Sequence, residues 1–356
     1  MNPFGDLKII DLSTVLAGPS VGSFFAELGA DVLKIEHPVF KDVTRSWKLK
    51  TEDPDSEISA YFSSVNYRKK YLQLDLKDKK DHAELMKIVK DADLVLMNFK
   101  KGDQSKLGIT DDRLRKINKS LIIGKISGFG INSDRVAYDL ILQAESGFMS
   151  MNGTPESGPV KMPVAIIDVM AAHHLKEGLL IELYERKNNT QYLGRTVSVS
   201  LYDAAVSSLI NQASNYLMAG HVASRIGSLH PNIAPYGEIF TAKDGVRITF
   251  AIGSDRHFQI LCGYLNIQDI YSDDRFKTVQ KRVEHRFELE QIIQREVQKR
   301  NAKDIISYMH SQYVPVAELK NIREVFETPE GQKLIREEKI DGVNTRRITS
   351  VAFRTE

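Results

Sequence analysis

The chain reads as an α/β protein: a large, doubly wound parallel sheet of Rossmann-like type, followed by a smaller α+β domain. Three observations predict this. A strand–helix–strand unit of about thirty residues opens the chain. Strand and helix patterns then alternate through the first two-thirds. Beyond residue 225 a hairpin signal replaces that alternation. A length of 356 residues suits two domains. The expected division is 1–220 for the large domain, 225–320 for the small one, and 321–356 for a segment that returns to the large domain.

Residues 7–12, Leu-Lys-Ile-Ile-Asp-Leu, make the first expected strand. Pro19 suits the first turn of a helix over 20–28, where Val21, Phe24, Phe25 and Leu28 share a face and Gly29 stops it. Residues 31–36 form the second strand. The glycine fingerprint of a dinucleotide site is missing, because Leu16 holds the place of its first glycine. Strands are expected next at 71–76, 93–99, 120–127 and 195–201, with amphipathic helices at 79–90 and 111–117. One long helix is expected at 202–219. In the second part, strands at 238–241 and 246–252 flank Ala242-Lys243-Asp244-Gly245, and helices follow at 255–265, 282–299 and 302–311. Residues 328–356 are polar and show no strong core pattern.

Composition excludes several classes. Hydrophobic residues at 42% and charged residues at 27% are those of an ordinary soluble protein. The 49 basic and 47 acidic residues are interspersed, leaving a net charge of +2 and no basic stripe for nucleic acid. Cys262 is the only cysteine, so neither an intrachain disulfide nor a cysteine-based zinc site is possible. It lies in the apolar pattern of Phe258, Leu261 and Leu265. No His/Glu pair has metal-ligand spacing, and no metal is expected. The N-terminus lacks the basic and apolar regions of a signal peptide, and no apolar run approaches the roughly 18 residues of a membrane span. A cytoplasmic protein, with neither membrane nor nucleic acid as partner, is expected.

The most informative stretch is Pro163-Val164-Ala165-Ile166-Ile167-Asp168, which runs into a helical pattern through Ala172, Leu175, Leu179 and Leu183. Asp168 falls at the expected N-cap, and a plain cap is one reading. The apolar approach supports another. A carboxylate in a partly dry site at the positive end of a helix would be kept ionised, with a depressed pKa, and poised as a nucleophile. His173 and His174, five and six residues on, do not share its helical face. Basic residues gather after strands at Lys77, Lys79 and Lys80, then at Lys100, Lys101 and Lys106. Each group taken alone is a solvated face. At the carboxyl ends of parallel strands, however, Lys77 and Asn98-Phe99-Lys100 would supply cations for phosphates and an aromatic face for a base. That pattern suits a phosphorylated nucleotide such as coenzyme A.

An ordered series of motifs then resembles the class III CoA-transferases, the CaiB/BaiF family that includes formyl-CoA and carnitine CoA-transferases. The series begins with Leu16-Ala17-Gly18-Pro19, Gly29-Ala30-Asp31-Val32-Leu33-Lys34-Ile35-Glu36 and Leu74-Asp75-Leu76-Lys77. It continues with Asp93-Leu94-Val95-Leu96-Met97-Asn98-Phe99, Ser127-Gly128-Phe129-Gly130, Tyr138-Asp139 and His230-Pro231-Asn232-Ile233-Ala234-Pro235-Tyr236. The resemblance implies a nucleophilic aspartate at Asp168. It would move coenzyme A from an acyl-CoA thioester to an acceptor carboxylic acid through acyl-aspartyl anhydride and aspartyl-CoA thioester intermediates. It also implies CoA contacts at His37, Leu74, Lys77, Asn98, Phe99, Lys106 and Tyr138, and a substrate loop near Gly253. Acyl-CoA and a small carboxylic acid are then the substrates, no cofactor is permanently bound, and an interlocked homodimer is expected.

Three departures mark this chain within the resemblance. His37 and Lys106 stand where the formyl-CoA enzyme has arginines. The glycine-rich loop is reduced to Ile252-Gly253-Ser254-Asp255. The family's terminal Pro-Leu-Gly-Glu-His-like segment is missing, so a different threading or lid is expected. Two alternatives stay open: an α-methylacyl-CoA racemase-like isomerase, and a catalytically silent CoA-binding protein. The racemases use a histidine where this chain has Tyr138, a poor proton acceptor near neutral pH.

Overall fold

Six parallel strands carry the first of two units in a computed structural model that describes residues 2–354. The strands are β1 (Lys8–Asp11), β2 (Asp31–Glu36), β3 (Lys70–Gln73), β4 (Leu94–Met97), β5 (Ile122–Ser127) and β6 (Thr196–Ser200), in the order β3-β2-β1-β4-β5-β6. Ile9 pairs with Val32 on one side and Leu94 on the other, and Gly124 with Val197. All four residues of β4 are buried, because helices cover both faces of the sheet.

Side chains alternate across each strand, so the sheet builds two cores. Ile9, Leu94, Leu96 and Ile122 pack with Val21 and Phe25 of helix Ala17–Glu27 and with Ala171, Leu175 and Leu179 of helix Ile166–Asn188. Ile10, Val95 and Ile123 pack on the other face, against Leu85 and Val89 of helix Lys79–Lys90 and Leu114 of helix Asp111–Ile117. Each such fully buried side chain contributes roughly 1.5–3 kcal/mol. Strand order reverses between β1 and β4, where the chain leaves β1 with Leu12 N donating to Leu96 O at 2.9 Å. Such a switch point opens a crevice at the carboxyl ends of the strands.

The first unit comprises Met1–Ser150, Val160–Ala223 and Lys333–Glu356; the second comprises Met151–Pro159 and Ser224–Gln332. The second is built on an antiparallel sheet, β7 (Tyr236–Thr241), β8 (Arg247–Ala251) and β9 (Val316–Glu318), in that order. Phe240, Ile248 and Phe250 pack there with Phe258, Leu261 and Cys262 of helix Asp255–Leu265 and with Leu289 and Ile293 of helix Arg286–Val297.

Three elements differ from expectation. The helix over 202–219 is two, Leu201–Ser207 and Ile210–Ala219. Ser207 and Ser208 both donate their hydroxyls to Ala204 O, at 3.0 and 2.7 Å, and compete with the backbone for it. The helix over 282–299 breaks at His285, between Val279–Glu284 and Arg286–Val297. The polar segment after 328 folds into a hairpin, β10 (Ile335–Ile340) and β11 (Val343–Ile348). Its two-residue turn is Asp341-Gly342, with φ of 49° and 83°, which is the pattern of a tight hairpin turn.

Candidate active site

Asp168 is the third residue of helix Ile166–Asn188, not its N-cap; Ala165 holds that place and has no capping side chain. Ile166 and Ile167 already have helical geometry, with Val169 N donating to Ala165 O at 3.1 Å. The cap comes from elsewhere. Asp139, the first residue of helix Asp139–Glu145, accepts from Ile167 N at 2.8 Å through Oδ1. Its Oδ2 accepts from Gln143 Nε2 at 2.5 Å, and Gln143 is tied to both backbone groups of Met162. An orphan first-turn N–H is thus satisfied by a neighbouring helix.

This arrangement reverses the expected direction of the shift at Asp168. The residue is 8% exposed, and its carboxylate has no hydrogen-bond partner among the described residues. Burial, with the negative charge of Asp139 added, pushes it up to about 7, instead of below the carboxylate range.

Tyr138, next to Asp139 in sequence, belongs to a small cluster of aromatic side chains. Burial, with the charges of Asp168, Asp139 and Asp42 added, pushes the Tyr61 hydroxyl up to about 12. Trp47 meets Tyr61 edge-on at 5.1 Å and Tyr138 at 6.3 Å between ring centroids. Asp139, Trp47 and Tyr61 were not singled out from sequence. They come from three separate segments, and only Asp139, beside Tyr138 in a motif, carried a local signal.

Two clefts open at the carboxyl ends of the strands, of about 390 and 270 Å³, and Thr14 and Phe99 line both. The larger is also lined by Asn98 and Tyr138, and the smaller by His37, Leu74 and Lys77. Six of the seven anticipated CoA contacts therefore line two clefts that share Thr14 and Phe99. Lys106 lines neither cleft; it is exposed and pairs with Asp103 at 3.0 Å. Two of the six have part of their bonding capacity committed. Asn98 clamps Thr14, its Oδ1 accepting from Thr14 N at 3.0 Å and its Nδ2 donating to Thr14 O at 2.8 Å. His37 Nδ1 accepts from Val39 N and Phe40 N, both at 3.0 Å. Gly18, in the first turn of helix Ala17–Glu27, abuts Ser13 so closely that any Cβ would collide with it.

In the second unit, Gly253 precedes Ser254, which caps helix Asp255–Leu265 by accepting from His257 N. Cys262 is buried, and burial pushes its thiol up to about 12. Among the described residues, no group of three or more His, Cys, Asp or Glu side chains could hold a metal ion.

The family model for CoA-transferase family III matches residues 4–354. The chain is 35% identical to a succinate–glutarate CoA-transferase of Agrobacterium fabrum, over 93% of this chain and 83% of that one. It is 31% identical to an acetyl-CoA:oxalate CoA-transferase of Acetobacter aceti, over 92% and 83%. The crystal structure of a CaiB/BaiF family protein from Brucella suis superposes with a TM-score of 0.85 at 30% identity, covering 99% of this chain and 92% of that one.

Proposed function

We propose, from the premise that this chain belongs to CoA-transferase family III, that it exchanges coenzyme A between short dicarboxylic acids with Asp168 as nucleophile. CoA transfer is the activity of the family and of the relatives at about a third identity. The choice of dicarboxylates is carried over from the succinate–glutarate relative. The observation that carries the role of Asp168 is its buried carboxylate, unpaired among the described residues and under the influence of the Asp139 charge.

An ionised Asp168 oxygen attacks the thioester carbonyl of the donor. The C–S bond breaks, leaving a mixed anhydride and CoA thiolate. The thiolate attacks the aspartyl carbonyl carbon and expels the donor acid, forming an aspartyl-CoA thioester. The acceptor carboxylate attacks that thioester, regenerating thiolate and a second anhydride. Thiolate attack on the acceptor's carbonyl carbon then releases the new acyl-CoA and Asp168. Each intermediate holds an activated acyl group, first the donor's, then the aspartyl group itself, then the acceptor's, so water must be kept away. The Trp47, Tyr61 and Tyr138 rings suit that task.

CoA is proposed to lie along the two clefts, flanked by His37, Leu74, Lys77, Asn98, Phe99 and Tyr138, with Lys106 an outlying cation. The loop at Gly253 is proposed to contact the acyl group. No resident cofactor takes part in this scheme. Among the described residues no helix is long and apolar enough to cross a membrane, and a cytoplasmic location is part of the proposal. A homodimer, interlocked as the family resemblance implies, is part of the proposal, and the exposed apolar residues of helix Ile210–Ala219 are suited to a covered face. None of its residues is buried, and Ile210, Leu217 and Met218 are 72%, 78% and 88% exposed.

The test is hydroxylamine trapping during incubation with succinyl-CoA. A hydroxamate on Asp168, mapped by mass spectrometry and absent in Asp168→Ala, is expected. No adduct with any acyl-CoA, together with undiminished exchange in Asp168→Ala, would falsify the assignment.

A further inference from the structure

We infer that Asp42 is a positioning residue for CoA transfer, holding the Thr14-Val15 turn in the shape that walls both clefts. The inference rests on the reading that those clefts hold CoA.

Val15 has φ of 74°, a left-handed conformation that a β-branched residue adopts only under constraint. Such strain persists where the surroundings over-determine it, and it gathers at functional sites. Here side chains from three different places hold three consecutive residues by their backbones. Lys34 Nζ, from β2, donates to Ser13 O at 2.8 Å. Asn98, just after β4, takes both backbone groups of Thr14. Asp42 accepts from Val15 N through both oxygens, at 3.3 and 3.2 Å.

Asp42 is itself fixed. It is 2% exposed and pairs with Lys34 at 3.1 Å, both side chains being fully buried. It also accepts from Thr44 N at 3.1 Å and from Thr44 Oγ1 at 2.7 Å. Its own N–H donates to Glu36 Oε1 at 2.9 Å, and Arg45 grips the same carboxylate. The turn that these groups enforce carries Thr14, common to the two clefts, and Val15, which lines the larger. Released, Val15 would relax toward negative φ, and Thr14 would move with it.

A double-mutant cycle separates this role from general stabilisation, because glycine adopts φ near 74° without strain. Asp42→Asn is expected to lower kcat/KM for succinyl-CoA by about 30-fold, chiefly through KM. In a Val15→Gly background the same substitution is expected to cost about threefold or less. An equal cost in both backgrounds would overturn the inference, since Asp42 would then not act through the turn. If Asp42→Asn does not fold, Asp42→Glu, which keeps a carboxylate beside Lys34 while displacing the acceptor from Val15 N, enters the same cycle with the same two outcomes. The underlying reading fails separately: if Phe99→Ala leaves CoA affinity unchanged by calorimetry, the clefts are not the CoA path and the inference falls with it.

Discussion

Two sets of buried carboxylates lie in the first unit, and they are treated in opposite ways. Asp11 and Glu36 are each matched to a cation. Lys69 Nζ meets Asp11 at 2.8 Å and Arg45 meets Glu36 at 2.6 Å. Burial works to raise both acids, yet Lys69 and Arg45 hold them below the usual range. Asp168 is buried to a similar degree beside another acid, with no cation among the forces that shift it, and it rises to about 7. Burial alone does not decide whether an acid is structural or reactive; its partner does. The paired set organises backbone, while the unpaired acid is left as a destabilised anion with a reason to react.

Each side of this contrast can be broken. The largest expected effect is on the reactive side: Asp168→Ala should lower kcat for CoA exchange by roughly 10⁴-fold or more, read by chromatography of the acyl-CoA products. On the structural side, Lys69→Met strands Asp11 in a dry site. It should destabilise the protein by about 3–5 kcal/mol in urea unfolding.

Asp168→Asn should act in the opposite sense on stability. The folded value, about 7, lies above the unfolded value of 3.8, so ionisation penalises the folded state. That penalty is absent below the unfolded value, grows as pH rises between the two, and is full above 7. The variant should therefore exceed the parent in stability by up to about 4 kcal/mol at pH 8, with the gap closing toward pH 4. Activity should show the same group: kcat/KM rises with pH along a limb centred near 7, where the nucleophilic form appears. Asp139→Asn should move that limb to lower pH without restoring an ordinary carboxylate value, because burial is the larger cause. The smallest contrast concerns two lysines. Lys77→Ala should raise KM for CoA by about tenfold, and Lys106→Ala, outside both clefts, by less than about threefold.

Much of the parallel sheet was legible because its strands are short apolar runs bounded by turn residues, and helices Lys79–Lys90 and Asp111–Ile117 carry clear periodicity. Asp168 stood out because an apolar run ends in an acid that opens a long helix. Its place in the first turn and its charge state were not legible. The helix begins two residues before the acid because its cap is Asp139, 28 residues before Ile167 in sequence, and no local pattern announces such a partner. Trp47 and Tyr61 were hidden for the same reason. Their meaning lies in the ring contact between them, and each alone reads as an ordinary surface or core aromatic. The hairpin at Asp341-Gly342 was legible in principle, since Asp-Gly between alternating residues is a strong turn signal. The abundance of charged residues in both strands masked it.

That hairpin sets an order of events during synthesis. Glu27, at the end of helix Ala17–Glu27, accepts from Arg336 at 3.0 Å, from Arg347 and Ser350 N at 2.7 Å each, and from the Thr349 hydroxyl. Arg347 lies 320 residues downstream of the acid it serves. At ribosomal speeds of about 5–20 residues per second, Glu27 waits on the order of tens of seconds for its guanidinium partners. The whole second unit is made during that interval. The nascent first unit therefore leaves Glu27 to water, and the face that the hairpin covers open, until these residues are made.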